Sequence, residues 1–76
     1  MERHAKISAD PKVMSGMPCI KGTRVTVSNI VRQVAAGRTI QEICQDYPYL
    51  TSEDIRSALG FAADFVATET YDLIAS

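Results

Sequence analysis

Residues 37–51 carry two helix stops and two helix starts in close succession, and these signals restrict the fold to short helices. Gly37 fits the position just past a helix C-terminus, and Pro48 disfavours helical backbone at the residue before it. Each stop is followed by a threonine with an acidic residue three positions later, the spacing of a capping box. The sequence therefore predicts helices over about 27–36, 40–46 and 52–68, with a tail over 69–76.

Each predicted helix has one apolar face, because its apolar residues recur three and four positions apart. Thr26 or Ser28 can cap the first helix. A chain of 76 residues forms one small domain, 1–76, and can bury only a small core. The predicted faces are Val27, Ile30, Val31, Val34 and Ala35 in the first helix, Ile40, Ile43, Cys44 and Tyr47 in the second, and Ile55, Ala58, Leu59, Ala62, Phe65 and Val66 in the third.

The N-terminal third predicts a β-hairpin within about 5–26. Lys21-Gly22 separates Cys19-Ile20 from a β-branched stretch, and glycine can adopt the positive φ of a tight turn. Gly22, Thr23 and Arg24 form the predicted turn motif, in which the Arg24 guanidinium is expected to tie the hairpin to a helix. The predicted fold class is mainly α with a short N-terminal β-hairpin, and the hairpin must pack on the helices because two strands alone are marginal in water.

Composition and motif content argue against several classes of protein. No apolar run approaches the roughly 18 residues that a membrane span needs, and the charged N-terminus lacks a signal-peptide core, so we expect a cytoplasmic location with no membrane contact. Cys19 and Cys44 lack metal-ligand spacing and are expected to be reduced and packed. His4 is expected to be a surface residue. We expect no enzymatic activity, and no catalytic residue, cofactor or metal.

The last two predicted helices have the outline of a helix-turn-helix unit. The third helix begins with Ser52, Glu53 and Asp54, however, and carboxylates there would repel phosphates while suiting a helix N-terminus. Net charge is −1, so any nucleic-acid binding must use a local basic surface. A solvated face with partial ion pairs to Glu42 and Asp46 is the alternative. The candidate nucleic-acid contacts are Lys21, Arg24, Arg32, Arg38 and Arg56.

The C-terminal third has more large apolar side chains than a core of this size needs, and such a surplus usually marks a protein interface. A homodimer through the third helix is the simplest use of them. The alternative is that they close the core of the monomer. The candidate interface residues are Phe61, Phe65, Val66, Tyr71, Leu73 and Ile74.

An ordered set of short motifs extends over roughly residues 7–65. SGMPCIKGTRVTVSNIV is followed by AAGRTIQEICQDYPYLTSEDIRSAL. Together these stretches resemble a small bacterial and archaeal family called domain of unknown function 433. The positions that match its pattern are Gly16, Pro18, Ile20, Gly22, Thr23, Arg24, Val25, Gly37, Glu42, Ile43, Tyr47, Pro48, Leu50, Thr51, Ala58 and Leu59.

The resemblance implies a three-helix, homeodomain-like helix-turn-helix fold with an N-terminal β element. It further implies the antitoxin half of a type II toxin-antitoxin pair, whose toxin is a small PIN-like nuclease encoded beside it. Such an antitoxin binds and inhibits its toxin and often represses its own promoter as a dimer. The alternatives are a small helix-turn-helix transcriptional regulator without a toxin partner, and a structural dimeric subunit of a larger assembly.

Overall fold

The structure is a computed structural model that describes residues 4–68. It confirms the predicted class, because three helices follow a short two-stranded antiparallel sheet. The predicted tail over 69–76, and with it Tyr71, Leu73 and Ile74, lies outside the described residues. In chain order the elements are β1 (Ile7–Ser8), β2 (Cys19–Ile20), α1 (Val27–Ala35), α2 (Ile40–Asp46) and α3 (Ser52–Ala67).

Each α-helix is capped by a threonine at its N-terminus. The hydroxyls of Thr26, Thr39 and Thr51 accept hydrogen bonds from the backbone N–H groups three residues later, at 3.0, 3.1 and 3.1 Å. The carboxylates of Glu42 and Asp54 accept in return from the backbone N–H groups of Thr39 and Thr51. Both predicted capping boxes are therefore present. These caps satisfy N–H groups that have no partner within the helix.

The strand pairing differs in detail from the predicted hairpin. β2 pairs with β1, so that Ile20 lies opposite Ile7. The segment after Gly22, which was expected to form the second strand, contributes a single antiparallel bridge between Cys19 and Thr26. The pairing stops there because Thr26 already serves as the N-cap of α1 and the chain turns into the helix. The ten residues between β1 and β2 were not expected to be a connection between paired strands.

The turn after β2 is held by a short hydroxyl side chain. Gly22 has a φ of +80°, as a tight turn requires. The hydroxyl of Thr23 donates to the carbonyl of Ile20 at 2.7 Å and accepts from the N–H of Val25 at 3.0 Å. Arg24 was expected to tie the hairpin down, but its exposed side chain forms no hydrogen bond or ion pair within residues 4–68. Thr23 closes the turn instead, because its hydroxyl reaches both backbone groups.

The core centres on three isoleucines, one from each helix. Ile30, Ile43 and Ile55 are fully buried. Around them lie buried residues from β2, from the turn after it, from the α2–α3 loop and from α1 and α3, namely Ile20, Val25, Val27, Leu50 and Ala58. The core ends before the last turns of α1 and α3. Val34, Phe65 and Val66 were expected to extend the helical faces, yet they are exposed.

We predict that Gly22→Val lowers the free energy of unfolding by about 1–3 kcal/mol, because a β-branched residue is strained at positive φ. A Cβ atom at Gly22 would meet nothing within 4 Å, so the cost would come from the backbone and not from a clash. Gly60, inside α3, is the matched control. It also has open space around the added Cβ but no positive φ, and Gly60→Ala is expected to stabilise by about 0.5–1 kcal/mol. Urea unfolding followed by circular dichroism measures both. An unchanged urea midpoint for Gly22→Val would contradict the positive-φ turn at Gly22.

Candidate functional site: an apolar groove between α1 and α3

An open groove of about 250 Å³ lies between α1, α3 and the segment that precedes α1. We call it the α1–α3 groove. Every residue along it is apolar except Ser28. Three of the candidate interface residues, Phe61, Phe65 and Val66, meet here. The groove is lined by Met17, Pro18, Val27, Ser28, Val31, Phe61, Ala62, Phe65 and Val66.

The outer wall of the groove is strongly exposed. Phe65 is 61% exposed, Val66 57% and Met17 43%. Phe61 is partly buried and packs against the core, and its ring stacks on that of Phe65 with centroids 6.3 Å apart. Phe65 and Val66 therefore do not close the core of the monomer, which was the alternative to an interface. That they bind a partner stays a prediction.

The N-terminal segment is fixed to α3 beside the groove. His4 Nε2 lies 2.8 Å from Asp64 Oδ2, and the His4 ring contacts Phe61 edge-on with centroids 5.2 Å apart. Such edge-to-face pairs are a favoured aromatic arrangement. The expectation that His4 is simply a surface residue was incomplete, because this side chain holds Phe61 in place. No local pattern indicates a contact between residues 60 positions apart.

A left-handed turn leads the chain into the groove. Met14, Ser15 and Gly16 have φ values of 49°, 58° and 84°. Left-handed backbone costs non-glycine residues free energy, so two such residues in succession store strain. The turn is followed directly by Met17 and Pro18, which line the groove. Ser15-Gly16 is a pair typical of turns, but nothing in the sequence indicates that this turn shapes the groove.

The five candidate nucleic-acid contacts come from several elements of the fold. Lys21 and Arg24 lie on the turn after β2, and Arg56 lies on α3. Arg38 is already paired, with Nη2 2.8 Å from Asp46 Oδ2 and 3.1 Å from a backbone carbonyl of α2. Arg32 is exposed on α1. The ion pair to Asp46 matches the alternative of a solvated, partly paired face.

The first turn of α3 is occupied by contacts within the fold. Asp54 closes the capping box and lies 3.7 Å from the ammonium of Lys6, while Glu53 is exposed. Arg56 Nη2 lies 3.4 Å from the hydroxyl of Ser52. The carboxylates predicted to repel phosphates are thus present at this helix end. A helix-turn-helix role for α2 and α3 stays a prediction.

The two cysteines are free thiols. Cys19 is buried in β2 and its Sγ donates to the carbonyl of Met17 at 3.4 Å. Burial raises the pKa of the Cys19 thiol, and the nearby Arg24 cation partly opposes this effect. Over residues 4–68 the structure has no group of three or more His, Cys, Asp and Glu side chains placed to hold a metal ion. Within the same range no helix is both long and apolar enough to span a membrane.

The fold and the groove define a small three-helix protein with an N-terminal hairpin. Residues 7–62 match the model of a family described as protein of unknown function (DUF433), and the chain belongs to the DUF433 family. A crystal structure of a DUF433 member from Anabaena variabilis ATCC 29413, at 2.00 Å resolution, is similar with a TM-score of 0.74 and 30% identity. That similarity covers 78% of this chain and 58% of the other.

A relative in Sinorhizobium fredii (strain NBRC 101917 / NGR234), the uncharacterized protein y4eO, is 34% identical over 56 residues. The match covers 74% of this chain but 25% of that protein. The chain therefore spans about a quarter of the length of this relative.

We predict that Cys44 reacts with iodoacetamide at least about tenfold faster than Cys19 in the folded protein at about pH 7.5. Cys44 is partly exposed, whereas Cys19 is buried and less of it is present as the reactive thiolate. Mass spectrometry of time points gives both rates. In concentrated urea the two rates should converge, since unfolding removes the burial. Equal rates in the native protein would contradict the buried position of Cys19.

Proposed function

We propose that this chain is a non-enzymatic, antitoxin-type protein that binds and inhibits a PIN-like nuclease through the α1–α3 groove. The observation that carries the proposal is the exposed apolar wall of the groove, formed by Phe65, Val66 and Met17. Exposed apolar patches on small proteins mark interaction surfaces, and aromatic residues and Met are enriched at interfaces. The antitoxin role that the sequence resemblance implies supplies the kind of partner.

The shape of the groove favours a helical element of the nuclease as its occupant. A groove between two helices receives the apolar face of an amphipathic helix, whose anchors recur three and four residues apart. The stacked rings of Phe61 and Phe65 offer a preformed apolar surface. The edge-to-face contact with the His4 ring helps to fix the position of Phe61. A preorganised surface loses little conformational freedom on binding, so more of the contact energy appears as affinity.

The same face supports the predicted homodimer. An isologous contact needs a self-complementary patch, and this patch contains both a protruding Phe65 and an open groove. In the absence of the nuclease we expect a second copy to cover the exposed end of α3. A cytoplasmic location and repression of the chain's own promoter belong to the same proposal.

The alternative of a transcriptional regulator without a toxin partner requires a continuous basic surface. Arg38 is already paired with Asp46, so a basic surface that includes Arg38 has less support than the groove gives to protein binding. The alternative of a structural dimeric subunit uses the same groove but requires no nuclease. Measuring nuclease binding and nuclease activity on one complex distinguishes the antitoxin, the regulator and the structural subunit.

The test is co-expression with the product of the neighbouring gene, which the proposal expects to be a PIN-like nuclease, followed by size exclusion with light scattering and a nuclease assay. We expect a stable complex without nuclease activity. Phe65→Ser should weaken the complex by about tenfold or more, because truncating a central aromatic anchor costs about 2 kcal/mol. Phe65 is exposed, so the variant should keep the unfolding midpoint of the wild type.

Val66→Ser and Val34→Ser form a matched pair of exposed valines near the ends of α3 and α1. Only Val66 lines the groove, so Val66→Ser should weaken nuclease binding while Val34→Ser leaves it unchanged. If the chain forms a homodimer but does not bind the nuclease, the result would favour one of the alternative functions, the transcriptional regulator or the structural subunit. A complex that tolerates both Phe65→Ser and Val66→Ser would exclude the groove as the binding site.

A further inference from the structure

A second cleft, of about 270 Å³, lies where three separate segments meet. They are the residues before β1, the turn after β2 and the loop between α2 and α3. Lys6, Lys21 and Tyr49 come from these three segments in turn and line the cleft. The cleft shares no lining residue with the α1–α3 groove. We call it the Lys6–Tyr49 cleft.

The two lysines of this cleft are held side by side by the backbone. The N–H of Lys21 donates to the carbonyl of Lys6 at 2.7 Å, which continues the β1–β2 pairing by one position beyond Ile7 and Ile20. Like charges directly opposite each other on neighbouring strands destabilise a sheet. The fold therefore places two lysine residues opposite each other at this end of the sheet, and an anion would stabilise this pairing.

Only one of these two cations has a carboxylate nearby. The Lys6 ammonium lies 3.7 Å from Asp54 Oδ1, and the other oxygen of Asp54 accepts the N–H of Thr51 in the capping box of α3. Within residues 4–68, Lys21 has no ion pair. Asp54 also lines the cleft, where its carboxylate offsets the charge of Lys6 and caps α3, so the charge of Lys21 is the one available to a ligand.

An exposed aromatic ring stands at the edge of the same cleft. Tyr49 is 64% exposed and contacts Tyr47 edge-to-face, with centroids 6.1 Å apart. Tyr47 is fixed in turn, because its hydroxyl accepts a hydrogen bond from the side chain of Asn29 at 3.0 Å. Tyr49 is therefore supported from within the fold while most of its ring faces solvent.

We propose that the Lys6–Tyr49 cleft binds single-stranded nucleic acid. A base stacks on Tyr49 while Lys6 and Lys21 contact the neighbouring phosphates. Supported aromatic rings beside cationic groups are the usual means of binding single strands. A duplex keeps its bases stacked on each other and offers none to a tyrosine, and a bare polyanion makes no use of the ring. This site is independent of the proposed nuclease partner and is tested on the chain alone.

The test is fluorescence anisotropy with a fluorescein-labelled oligouridine of about 10 nucleotides, at about 20 mM salt and then at rising salt. We expect Tyr49→Ser to weaken binding by about tenfold. Lys21→Gln should weaken it and reduce the slope of log affinity against log salt by about 0.7. Lys12→Gln is the control. It removes an exposed cation from the connection between β1 and β2, outside the cleft, and should leave both quantities unchanged.

An abasic oligomer of the same length separates stacking from charge. It should bind the wild type about as weakly as oligouridine binds Tyr49→Ser, and Tyr49→Ser should weaken its binding no further. The proposal is overturned if the abasic and normal strands bind equally, or if a duplex binds more tightly than the single strand. It is also overturned if Lys12→Gln weakens binding more than Lys21→Gln does, or if no binding occurs at low salt.

Discussion

The packing of Ile30, Ile43 and Ile55 determines how the rest of this protein is arranged. Each comes from a different helix and each is fully buried, so one contact point sets the relative positions of all three helices. A core built around three side chains is short, and α1 and α3 extend beyond it. Their last turns have no further element of the described fold to cover them. The α1–α3 groove lies where the last turns of α3, beyond the core, pass the first two turns of α1.

Local features of the fold could be read from the sequence, whereas the strand pairing could not. A capping box involves two residues three positions apart, so the pair Thr39 and Glu42 is enough to predict the start of α2. β1 and β2 are two residues long, too short for an alternating pattern, and their partners lie 13 positions apart at Ile7 and Ile20. The nearest β-branched stretch was therefore chosen as the partner strand, and it contributes only the bridge between Cys19 and Thr26.

The candidate sites divide in the same way. Phe65 and Val66 could be found because they continue an apolar period past the point where a small core ends. The contact of His4 with α3 could not be found, nor could the meeting of Lys6, Lys21 and Tyr49, because each depends on residues far apart in the chain. Arg24 shows a different limit. The long cationic side chain beside the turn led to the prediction that it anchors the hairpin to a helix. The turn is instead closed by the hydroxyl of Thr23, which hydrogen-bonds two backbone groups.

The position of β2 links the two surfaces. Met17 lines the groove and Lys21 lines the second cleft, and the chain between them contains the two paired residues of β2. Any coupling between ligands at the two surfaces would have to pass through the three residues between Met17 and Lys21, two of which form β2. Such coupling acts equally in both directions, so a nucleic acid that releases the protein partner must itself be released by that partner.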